Sequence, residues 1–138
     1  MNKPGSLRAH LAAALPELAT DPERMLVFVE DGSMRTTAHP NDSFELHYRL
    51  SLVLVDFVGD AARLFLAVLR WVRVNQLDLI ANPDRWGELA FEVDVIDHDR
   101  ADVQIRLPLR ERIGVTTDAA GVEQVTPWPE PVFVTWEP

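Results

Sequence analysis

The sequence predicts an α+β fold: a single domain in which a mostly antiparallel sheet packs with one long helix and one or two short ones. Three observations carry this. The 138 residues fit one domain and leave no room for a second. Alternation with a period of two dominates residues 43–58 and 89–107, the pattern of strands with one buried face. Between them, residues 61–75 repeat their apolar side chains at helical spacing. The resulting order is helix, two or three strands, helix, then three or four strands. There is no internal repeat, and no low-complexity tract beyond a proline-spaced C-terminal stretch.

In chain order, Pro4 and Ser6 suit a helix start, and Leu7, Leu11, Ala14 and Leu15 then share a face until Pro16 ends or restarts the helix. Thr20-Asp21-Pro22-Glu23 has the chemistry of a turn or a single helical turn. Met25–Val29 is β-branched and aromatic, hence a strand, and Asp31-Gly32 predicts a tight hairpin from which Met34–His39 returns. In Ser43–Val58, Phe44, Leu46, Tyr48, Leu50, Leu52 and Leu54 form one face, opposite Glu45, His47, Arg49 and Ser51. From Leu52 both faces turn apolar, which predicts cover on two sides, one of them from the same chain or from a neighbouring subunit. Asp60 is placed to cap a helix from about Ala61 to Asn75. Its core stripe is Leu64, Phe65, Val68, Trp71 and Val72, yet Leu66, Leu69 and Val74 fall outside it. Leu89–Val95 and Ala101–Leu107 predict a second hairpin, and Pro108, lacking an N–H, marks an edge or a bulge. Asp118–Gly121 is a further turn, between Ile113–Thr117 and Val122–Thr126. We expect residues 1–126 to form the domain and residues 127–138 an extended arm carrying Trp128, Phe133 and Trp136.

Composition excludes several functions. Without cysteine there are no disulfides, thiolate metal sites or cysteine nucleophiles. A formal charge of -9 opposes binding to a phosphate backbone, so nucleic acid is not an expected partner. No segment approaches the roughly 20 apolar residues that span a bilayer, which predicts a soluble chain made in the cytoplasm. All 13 basic residues lie at or before Arg112, leaving an acidic C-terminal end.

Chemistry-bearing groups are sparse. Asp94, Asp97, His98, Asp99 and Asp102 are five potential ligands within nine positions, but they lack the spacing of a calcium loop or a zinc site, and a solvated hairpin tip accounts for them. His10, His39 and His47 are dispersed, with no serine or carboxylate placed for a triad. The glycines occur singly, so there is no phosphate-binding loop, and no cofactor is expected. Arg63, Arg70 and Arg73 suit paired contacts to carboxylates on a partner, or are solvated helix charges. Trp128, Phe133 and Trp136 are anchors for an interface, or fold back on their own domain.

Several segments resemble the tail completion protein R family of temperate contractile-tailed phages and their prophage relatives. They are Ser6-Leu-Arg-Ala-His-Leu11 with Leu15-Pro-Glu-Leu18, Arg24-Met-Leu-Val-Phe-Val-Glu-Asp-Gly32, and Tyr48-Arg-Leu-Ser-Leu-Val-Leu-Val-Asp-Phe57. Leu79-Ile-Ala-Asn-Pro-Asp-Arg85 and Phe91-Glu-Val-Asp-Val-Ile-Asp97 with Ile105-Arg-Leu-Pro-Leu109 complete the set, which spans about residues 6 to 115. The resemblance implies a non-enzymatic, terminator-like subunit at the neck end of the virion tail, assembled in the host cytoplasm. It would cap the finished tube and sheath, halt tail growth and present the docking surface for the head–tail connector or neck proteins. It also implies a homo-oligomer, a six-fold ring, and it carries over no catalytic residue. The competing classes are a cytoplasmic adaptor unrelated to virions and a metal-dependent enzyme using the Asp94–Asp102 cluster.

Overall fold

A computed structural model of the chain describes residues 1–36 and 42–129. Helix α1 (Lys3–Ala14) places Leu7 and Leu11 against the core, and after Pro16 the short α2 (Pro16–Thr20) continues the same stripe with Leu18. Proline fits the first turn of α2, where its missing N–H would have no helical partner. Ala14 is exposed, so the buried face runs Leu7, Leu11, Leu15, Leu18 instead. A 3-10 turn at Pro22–Arg24 leads into β1 (Met25–Thr36).

The sheet order is β1–β2–β4–β3, with β2 spanning Phe44–Val58, β3 Ala90–Val95 and β4 Arg100–Thr117, and with β5 (Glu123–Pro127) also pairing β4. Every pairing is antiparallel. Two expectations are corrected here. Asp31-Gly32 is not a hairpin turn: β1 runs straight through it, with a register shift between Glu30 and Ser33 and Asp31 at a φ of 53°. The left-handed conformation that Asp tolerates in a turn also serves a β-bulge, and sequence alone does not separate the two. The expected return strand Met34–His39 is therefore the end of β1 as far as Thr36, and residues 37–39 of it lie outside the described residues. Likewise 101–107 and 113–117 are one 18-residue strand, β4.

Pro108 lies within that strand, between the stretch paired to β3, which ends at Arg106, and the stretch paired to β5, which starts at Ile113. It therefore occupies a local edge, as its missing N–H requires.

The inward face of the sheet carries Tyr48, Leu50, Leu52, Leu54, Val103, Ile105, Leu107 and Leu109. Against it lie α1 and α3 (Ala61–Asn75), whose Leu64, Val68, Trp71 and Val72 are buried. Each of these side chains contributes about 1.5–3 kcal/mol by leaving water. Gly59, at a φ of 140°, turns the chain out of β2, and the Asp60 carboxylate accepts the Ala62 N–H at 2.9 Å as the expected cap. A second bulge, between Leu54 and Phe57, shifts the inward phase by one residue so that Phe57 points inward.

The second covering layer expected over Leu52–Val58 is absent among the described residues. Val53 is half-buried, Val55 and Val58 are exposed, and the opposite face carries Arg49, Arg106 and Arg112 paired with Glu30, Glu92 and Glu45. Two short helical turns, α4 (Asp78–Ala81) and a 3-10 segment Pro83–Glu88, join α3 to β3.

Candidate assembly surfaces

Helix α3 leaves a broad outer side uncovered. Arg63, Leu66, Arg70 and Arg73 follow one another at three- and four-residue spacing down that side, and Val74 lies four residues on from Arg70, so the five form one stripe. The three arginines are exposed, and their guanidinium groups make no ion pair among the described residues. Leu66 and Val74 are 47% and 70% exposed between them. The structure thus gathers the three predicted arginines on one face.

It does not bring Trp128 to them. That residue follows β5, where its backbone N–H donates to the Arg112 carbonyl at 2.8 Å and its indole lies over Gly114. A Cβ on Gly114 would stand 1.8 Å from the indole Nε1, so the absent side chain is what lets the ring lie on the strand. Phe133 and Trp136 lie outside the described residues.

Beside α3 an apolar groove opens toward β3. Phe65, Val68, Leu69, Leu89, Phe91 and Ile105 line a cavity of about 280 Å³, with the Phe65 and Phe91 rings 4.5 Å apart at 40°. β3 forms one wall, and its far edge pairs with no strand among the described residues. Phe91, Val93 and Val95 share the inward parity of Ile105, Val103 and Ala101, but they extend past the helices and stay exposed.

A buried polar cluster escaped the sequence reading. The Glu111 carboxylate, 3% exposed, accepts the Tyr48 hydroxyl and the Asn2 N–H, each at 2.6 Å. The Lys3 ammonium donates to Gln76 Oε1 at 2.7 Å and to the Arg110 carbonyl, and Gln76 Oε1 also accepts the Arg110 N–H at 3.0 Å. These bonds tie the start of α1 and the residue after α3 to the stretch of β4 that has neither β3 nor β5 beside it. Burial pushes the Tyr48 phenol well up, and the carboxylate it donates to pushes it further. The signal was present, since Glu111 occupies the apolar phase of β4 between Leu109 and Ile113, opposite Leu46. Nearby, burial works to raise the Asp78 carboxyl, but the Gln76 amide and the Arg85 guanidinium outweigh it and hold the group below the usual carboxylate range.

The Asp94–Asp102 segment forms the β3–β4 hairpin tip. Asp97 Oδ1 accepts the N–H groups of Asp99 (2.9 Å) and Arg100 (3.0 Å), and Oδ2 takes the Arg100 guanidinium. Those donors hold the Asp97 carboxyl below the usual range. Asp102 accepts the Asp56 N–H at 2.9 Å, tying the tip to the β2 bulge. Asp97, His98 and Asp99 bring potential ligand atoms within 4.8 Å of one another, all on exposed residues. With both Asp97 oxygens already engaged, the chemistry of the loop is that of a turn. His10 bonds the Ala67 carbonyl at 2.9 Å, a contact between α1 and α3. His47 bonds Glu45, and His39 lies outside the described residues. Among the described residues, no helix is long and apolar enough to cross a membrane.

A small α+β domain whose distinguishing features are an uncovered helix face, an apolar groove and a free strand edge belongs with proteins that act through contact surfaces. A family model described as P2 phage tail completion protein R (GpR) matches residues 1–131, and the chain belongs to that family of phage tail assembly proteins. At the level of an individual relative, it is 35% identical over 137 residues to the tail completion protein R of Escherichia phage P2, covering 96% of this chain and 88% of that one. No solved structure matches.

Proposed function

We propose that this chain caps the completed tail, ending growth of tube and sheath at the neck end of the virion and presenting the surface on which the head–tail connector docks. It acts by protein contact and not by catalysis, as a ring of copies, a reading supported by its resemblance to tail terminators that form six-fold rings. The observation that carries the proposal, given the family, is the apolar surface a lone domain leaves in water: Leu66, Leu69 and Val74 on α3, and Phe91, Val93 and Val95 on β3. Exposed apolar area of this extent, rimmed by Arg63, Arg70 and Arg73, is typical of interaction surfaces, where arginine is enriched. Family membership favours a role in virions over that of a cytoplasmic adaptor. Residues 127–138 supply the arm that joins subunits, with Pro127 and Trp128 fixing its base on β4.

Sedimentation of the purified protein, alone and with tail tubes, tests the assembly. The expected result is a discrete oligomer on the tubes, formed there even where the free protein is monomeric. A chain that remains monomeric in both samples and leaves tube ends bare would overturn the proposal.

A further inference from the structure

We propose that the free edge of β3, with the apolar groove between β3 and α3, is the acceptor for residues Pro131–Trp136 of a second copy of this chain. The proposal rests on the self-assembly reading above and names its contact site.

The described residues end beside β4. Trp128 is level with Arg112, so Pro129 is level with Glu111, and β5 runs along the same side of β4 as β3 does. From Glu111 to Ile105, the partner of Phe91, is six residues of strand, about 20 Å. Val132, three residues beyond Pro129, reaches at most about 11 Å. Val134 reaches at most about 18 Å, whereas the level of Val93, opposite Val103, is about 27 Å away. Within one chain, Val132 and Val134 therefore cannot sit opposite Phe91 and Val93. The direct path is also blocked, since the Arg110 N–H and C=O on that side are already bonded to Gln76 and Lys3.

A neighbouring copy has no such limit. Its Pro131–Trp136 matches the six residues of Ala90–Val95 in length, and Pro131 suits the first position of a strand, where no N–H is needed. Alternation would set Val132, Val134 and Trp136 on the face carrying Phe91, Val93 and Val95, extending the inner surface toward the groove lined by Phe65 and Leu69. Added backbone hydrogen bonds would supply affinity, and the aromatic and β-branched side chains register. The other outer edge, β1, is a poorer acceptor: the bulge at Asp31 interrupts it, and the Arg8 guanidinium already bonds the Met25 carbonyl. Donor and acceptor are different parts of the chain, so each copy offers one of each, and the contact propagates head to tail until it closes.

The chain has no cysteine, so two can be introduced without background. Full-length Val93→Cys and Val134→Cys variants, prepared separately, mixed on tail tubes and treated with a short bis-maleimide, should give a covalent heterodimer. Val95→Lys placed in the Val93→Cys partner should abolish that band while leaving thermal unfolding unchanged, because residue 95 is 70% exposed. An oligomer on the tubes without the 93–134 band would overturn the acceptor site and leave the ring standing. A chain that never associates would overturn both. A monomeric double variant that cross-links only within itself would place the arm on its own domain and overturn the inference.

Discussion

Replacing Tyr48 by Phe removes one hydroxyl from the buried cluster at the root of α1. Tyr48 and Glu111 are 4% and 3% exposed, and their hydrogen bond is 2.6 Å long. A hydrogen bond to a charged group contributes about 1.5–3 kcal/mol, and the phenyl ring stays in place, so little cavity cost is added. A loss of about 2 kcal/mol is expected. At about 2.1 cal/mol/K per residue, a 138-residue chain unfolds with an entropy of about 0.29 kcal/mol/K, so Tm should fall by about 7 °C. Glu111→Ala should cost more, about 2–6 kcal/mol, because it strands the Tyr48 hydroxyl and the Asn2 N–H together, at about 1–3 kcal/mol each. Thermal unfolding followed by circular dichroism measures both, and the Tyr48→Phe, Glu111→Leu double-mutant cycle isolates their coupling. A change under about 0.5 kcal/mol for Tyr48→Phe, the range of ordinary surface substitutions, would refute the assignment of a buried charged hydrogen bond. Strict additivity in the cycle would refute it equally.

Three further outcomes are expected. The Asp78 carboxyl is held low in the folded state, so its contribution to stability is present above the ordinary carboxylate range near pH 4 and is lost as pH falls through the depressed value. Arg85→Ala should therefore destabilise the protein at neutral pH, with a deficit that shrinks in acid; urea titrations showing an equal deficit at about pH 2 would contradict this. Gly114→Ala should expel the Trp128 indole at a cost of about 1 kcal/mol, read as increased acrylamide quenching that is absent in a Trp128→Phe background; unchanged quenching would place the ring elsewhere. Reversing Arg63, Arg70 and Arg73 to Glu should abolish tail completion while the far-ultraviolet spectrum and Tm hold, since all three are exposed; infectious tails from the reversed chain would make these arginines solvated helix charges.

The elements most legible in the sequence were those whose periodicity is reinforced by burial. β2 announces itself because Tyr48, Leu50, Leu52 and Leu54 are all buried on one face, and α3 because Asp60 caps a helix whose stripe is buried. The surplus apolar residues of α3 were equally readable: Leu66, Leu69 and Val74 are the side chains left in solvent. Asp31-Gly32 misled because the backbone conformation that makes a hairpin also makes a bulge, and only the partner strand distinguishes them: Glu30 faces Arg49 and Ser33 faces His47. The run from Leu52 read as covered on both faces, by the same chain or by a neighbouring subunit; among the described residues no layer of this chain covers Val55 and Val58, which stay exposed. The polar cluster was missed because its members, Lys3, Tyr48, Gln76 and Glu111, are up to 108 residues apart and meet only once β4 passes the end of α3. The groove was invisible for the same reason, since Phe65 and Phe91 belong to elements whose apposition no local pattern encodes.

The claim that matters most is that the protein ends the tail, and electron microscopy of purified tails mixed with gold-labelled protein tests it most directly. The account predicts label at a single end of each tail, the end that receives the head, with none along the shaft, and heads that join only tails so labelled. Label spread along the sheath, label at the opposite end, or head joining that proceeds equally on unlabelled tails would contradict it.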